Sequence, residues 1–99
     1  MRRGKCYNNK KDMEKIFTLE QAKQIGEQLG IQWEKFDAEQ FQCGLDVELE
    51  HGKRNPQTNI TDDDPIMTGK IALAHLNEFP DYYERLAILE KEADKFWNK

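Results

Sequence analysis

The sequence predicts an all-α domain of four helices, and three observations carry that prediction. Apolar residues make up 37% of the chain beside 34% charged, a balance that suits amphipathic helices. A buried parallel sheet would need long Val/Ile runs, and none is present. Apolar positions recur at helical spacing in four stretches, and capping residues stand where each stretch begins. Ninety-nine residues is the size of one domain with one core.

The first helix is predicted over 19–29. Thr18-Leu19-Glu20-Gln21 has the form of a capping box, in which the Thr hydroxyl accepts from the Gln21 amide and the Gln side chain reaches back. Leu19, Ala22, Ile25 and Leu29 share one face, and Gly30 suits the left-handed position after a helix. Asp37 is placed to cap a second helix, with Phe36 and Phe41 as its hydrophobic staple. That helix runs from Ala38 to His51 with Gly52 as its stop. Residues 53–64, KRNPQTNITDDD, collect turn-forming residues and read as the one long loop, with a β-hairpin inside it as the alternative.

Asp64-Pro65 opens the third helix, since proline's missing N–H costs nothing at the first helical position. The acidic run Asp62–Asp64 reads as capping, because it lacks the alternating ligands, central Gly and terminal Glu of a calcium loop. Ile66, Met67, Ile71, Leu73, Leu76 and Phe79 wrap most of this helix and put it in the middle of the bundle. Phe79-Pro80-Asp81 breaks it. In the fourth helix Tyr82, Leu86, Leu89, Ala93, Phe96 and Trp97 form the clearest apolar stripe in the chain, which leaves Tyr83 near the surface and Ile88 on the polar side.

Formal charge is −4 overall and uneven. Residues 1–15 carry six basic and two acidic side chains, a balance of +4, and read as a disordered basic leader. The domain, 16–99, holds nine basic and seventeen acidic side chains, a balance of −8. Such a body repels phosphate and anionic lipid, so nucleic acid and membrane are not expected partners. No window reaches the ~18–20 apolar residues of a membrane span, and the N-terminus has charge without a secretion signal's apolar stretch, which predicts a cytoplasmic protein. Cys6 and Cys43 lie far apart without CxxC spacing and read as free thiols.

Walker, GxGxxG, GxSxG and HExxH motifs are absent, which leaves nucleotide, hydride-transfer and serine-hydrolase chemistry unsupported. One constellation stands out. Glu48-Leu-Glu-His51 and His75-Leu-Asn-Glu78 each pair a histidine with a carboxylate three residues away, the spacing by which helix bundles present metal ligands. Glu48, His51, His75 and Glu78 are therefore the candidate metal residues, with no other cofactor implied. The competing reading makes His75 a core histidine satisfied by a carboxylate such as Glu48, and His51 a cap at the negative end of the second helix.

GLDVELEHG, TDDDP and TGKIALAHLNEFPDYYERL, with TLEQAKQIGEQLGI before them, resemble a family of small bacterial and phage-associated proteins classed as a domain of unknown function. The likeness covers residues 18 to about 93 and implies a small helical domain of bacterial type; it brings no activity with it. Two functional readings follow. In the first, the domain is a non-enzymatic interaction module that binds a protein or a second copy through its acidic surface, the 53–64 loop and exposed residues such as Tyr83 and Ile88. In the second, it is a small metal-binding protein with a Glu/His site between helices two and three.

Overall fold

The computed structural model describes residues 16–98, so the basic leader lies outside the described residues. Four α-helices follow one another: α1 (Leu19–Gln28), α2 (Ala38–Glu48), α3 (Pro65–Glu78) and α4 (Tyr82–Phe96). A 3-10 turn, Leu49–His51, extends α2. No strand occurs among the described residues, so the 53–64 loop holds no hairpin.

The starts follow the local chemistry. At α1 the capping box is complete, with the Gln21 amide donating to Thr18 Oγ1 at 3.0 Å and the Thr18 amide donating to Gln21 Oε1 at 2.9 Å. Gly30 takes φ +80° just beyond its end, a conformation glycine adopts without a Cβ penalty. Asp37 caps α2 by accepting from the Gln40 amide at 2.9 Å, and the Phe36 and Phe41 rings stack 6.5 Å apart. Asp64 accepts from the Ile66 and Met67 amides at the start of α3. Asp81, before α4, makes no cap bond and instead pairs with Arg85 one turn on, at 2.8 Å.

Both α2 and α3 touch each of the other three helices. The helix buried round most of its surface is α2, where Gln40 through Asp46 and Glu48 are all buried. The apolar count had marked α3 for that burial, yet Met67 and Phe79 are exposed at its two ends. The polar residues of α2 escape an apolar count because each is satisfied from another element. Asp46 accepts from the Ile16 and Phe17 amides, Gln42 donates to the Phe17 carbonyl at 2.7 Å, and Gln40 donates to Glu84 of α4 at 3.0 Å. These bonds fix where the chain enters the bundle and where α4 begins. Ala22, Ile25, Phe41, Leu45, Ala72, Leu76 and Tyr83 fill the core between them.

The long loop is ordered by its own polar groups. The His51 carbonyl accepts from the Ile60 and Thr61 amides, Asp63 accepts from the Lys53 amide, and Thr61 is buried beneath. Folding back onto this carbonyl tightens the end of α2 into the 3-10 turn that carries His51.

Three expectations are corrected by the structure. Beyond Ala87, α4 leaves the bundle, and every residue from Ile88 to its end is exposed. The stripe of Leu89, Ala93, Phe96 and Trp97 therefore covers no core. The bundle-facing side is turned round from that stripe and anchored by Tyr83, which is 1% exposed, whereas Tyr82 is half-buried. Tyr83 accordingly presents nothing to a partner. Cys43, read as a free thiol, is disulfide-bonded; pairing depends on proximity in space, which separation along the chain does not reveal. The chain's other cysteine, Cys6, lies outside the described residues.

Candidate functional site

Glu48 is the last residue of α2, and only 3% of it is exposed. It is buried because α2 and α4 approach closely one turn earlier. A Cβ added at Gly44 would stand 2.7 Å from the Tyr83 ring and 3.1 Å from the Ala72 Cβ. With no side chain at 44, the Tyr83 ring lies over the helix there. Its hydroxyl then reaches the residue four further on, donating to Glu48 Oε2 at 2.6 Å, a length typical of a hydroxyl on a carboxylate.

Two imidazoles flank the same carboxylate. His51 Nε2, from the 3-10 turn, lies 3.5 Å from Glu48 Oε1; His75 Nε2, from α3, lies 3.6 Å from Glu48 Oε2. Both separations exceed hydrogen-bonding length. His75 is held by aromatic contact: its ring stacks on Tyr82 with centroids 4.3 Å apart and planes 10° apart, and meets the Tyr83 ring edge-on at 6.3 Å. His51 Nε2 also lies 3.6 Å from Glu50 Oε2.

The surroundings are negative. Burial pushes the Tyr83 phenol above its ordinary value, and the hydrogen bond to Glu48 and that carboxylate's charge push the same way. The Tyr82 phenol is raised first by burial and then by the charges of Glu48, Glu78, Glu50 and Glu90. Among the described residues Glu48 touches Tyr83, His51 and His75 and no lysine or arginine.

Of the four residues singled out by spacing, three converge. Glu48, His51 and His75 meet, while Glu78 stays exposed at the end of α3. Its charge bears on Tyr82, and Glu50 is the second carboxylate beside an imidazole. As the side chains stand, no group of three or more His, Cys, Asp and Glu residues is spaced to hold a metal ion among the described residues. Spacing along one helix could not reveal Tyr83 or Tyr82, which come from α4. The signal available was the adjacent tyrosine pair, of which one must face inward. Ile88, the other residue proposed for contact, is 59% exposed.

Two surface hollows lie elsewhere. Leu29, Ile31, Trp33 and Leu73 contribute to one, and Phe17, Ile25, Gln28 and Ile66 to the other. Neither includes a residue of the Glu48 cluster.

No curated protein and no solved structure matches the chain. A family model does, over residues 22–92, a span that covers α2 and α3 whole, most of α1 and α4, and every residue of the cluster but none of the leader. The chain belongs to the DUF5661 family of proteins of unknown function.

Proposed function

We propose that this domain is a non-enzymatic interaction module and that the outer half of α4 is its docking element, with a second copy of the chain as the occupant. The observation that carries the reading is the exposure of Ile88, Leu89, Phe96 and Trp97 at 59%, 58%, 75% and 67% on one free helix end. Large apolar side chains clustered in this way mark contact surfaces. Leu86, Leu89, Ala93 and Phe96 follow one another at steps of three, four and three, the spacing with which one helix packs along another. Arg85, Lys91 and Lys95 stand among Glu90, Glu92 and Asp94, so a second α4 meets charges of both signs. One helix face is a small contact, which implies a weak and concentration-dependent dimer.

Sedimentation velocity tests the reading. The wild-type chain is expected to shift from monomer towards dimer as its concentration rises, and a Leu89→Asp/Phe96→Asp variant to stay monomeric while keeping its helical content. A wild-type monomer at all concentrations would count against it.

A further inference from the structure

Cys43 brings into the core a covalent bond whose other end lies outside the described residues. It sits in α2 with 1% of its surface exposed, and it is disulfide-bonded. The chain contains two cysteines, so within one chain the bond has one possible partner, Cys6 of the basic leader. A second copy would have to reach a sulfur enclosed in the core.

Hydrogen bonds bring the chain to the right place. The Ile16 and Phe17 amides donate to Asp46 at 3.2 and 2.9 Å, and Gln42 donates to the Phe17 carbonyl at 2.7 Å. Gln42 and Asp46 stand one turn apart on α2 with Cys43 between them, so the leader meets the bundle within a turn of the bonded sulfur. The stretch from Cys6 to Ile16 can extend to roughly 33 Å. That exceeds the length of α2, about 16 Å, so Cys43 is within its reach. Charge acts in the same direction, since a leader with six basic and two acidic side chains adjoins a body with nine basic and seventeen acidic ones.

We propose that Cys6 and Cys43 form a redox latch that ties the leader to α2. Closed, the bond makes one loop that contains the whole of α1, which restricts the unfolded chain and so stabilises the fold. It also joins a residue of the family domain to one outside it, because the family match begins at residue 22. A dithiol reductant opens the latch by exchange. One of its thiolates attacks the Cys6 sulfur, since Cys43 is enclosed, and Cys43 leaves as a thiolate and takes up a proton. The second thiol then displaces Cys6. The cysteine pair gains two electrons and two protons, and the dithiol becomes a disulfide. Reduction thereby severs the basic leader from the acidic body.

The test uses the full chain purified without reductant. Its accessible thiols are blocked with N-ethylmaleimide, and its tryptic peptides are mapped by mass spectrometry without reduction. Residues 6–10 should be found joined to residues 36–53. Dithiothreitol should then expose both thiols to the maleimide and lower the midpoint of urea unfolding. Cys6→Ser, which alters no core side chain, should show the lower midpoint from the outset and no further response to dithiothreitol. Cys43 recovered as a blocked thiol, Cys43 joined to a second copy, or a wild-type midpoint indifferent to dithiothreitol would each overturn the proposal.

Discussion

At the scale of single residues, the bond between Tyr83 and Glu48 matters most, because it joins α4 to α2 inside the core. Tyr83→Phe removes the hydroxyl and leaves a buried carboxylate oxygen short of its donor, at a cost of roughly 1–3 kcal/mol in urea unfolding. The pH dependence follows from the direction of the Tyr83 shift. In the unfolded chain the phenol ionises near its ordinary value of 10.0, while in the folded protein burial and Glu48 keep it protonated above that. Above pH 10 the unfolded state has therefore released a proton that the folded state keeps, so this residue's contribution is fully present below pH 10 and falls as pH rises further. Melting temperatures followed into base should drop for the wild type and drop less steeply for Tyr83→Phe. Equal slopes would show that another group governs the loss. The sequence made Glu48, His51 and His75 legible because each pair shares one helix or its end. Tyr83 was hidden because the regular stripe of α4 runs through its neighbour Tyr82.

At the scale of elements, the helix starts were legible and the packing faces less so. Caps are local: Thr18, Asp37 and Asp64 each act within three residues of themselves. Packing is not local, and a helix such as α2, buried with Gln40, Gln42, Asp46 and Glu48 inward, gives no apolar signal to follow. What lets the helices pack this closely is the absence of side chains at their crossings. Gly44 admits the Tyr83 ring, and Gly69 of α3 leaves 2.8 Å between its would-be Cβ and Ile25 of α1. Gly44→Ala should destabilise the fold by about 1–3 kcal/mol despite alanine's better helix propensity, because the Tyr83 ring has to move. The displaced ring should also lengthen the bond to Glu48, so Gly44→Ala and Tyr83→Phe are expected to be less than additive in a double-mutant cycle.

At the scale of the whole molecule, the all-α class and the single core were legible from composition and periodicity. The outward course of α4 was not. Its stripe promised a core-facing helix, yet beyond Ala87 the helix leaves the bundle and Leu89, Phe96 and Trp97 stand exposed. No helix among the described residues is long and apolar enough to cross a membrane, so that purpose does not explain the exposed stripe. A second copy does. The most direct measurement is hydrogen–deuterium exchange across α4 at increasing protein concentration. In the monomer, amides from Ile88 to Phe96 should exchange quickly, because this half of the helix lacks tertiary support. Self-pairing predicts that their protection rises with concentration while that of α1 to α3 stays constant. Exchange from Ile88 to Phe96 that is fast and indifferent to concentration would contradict it.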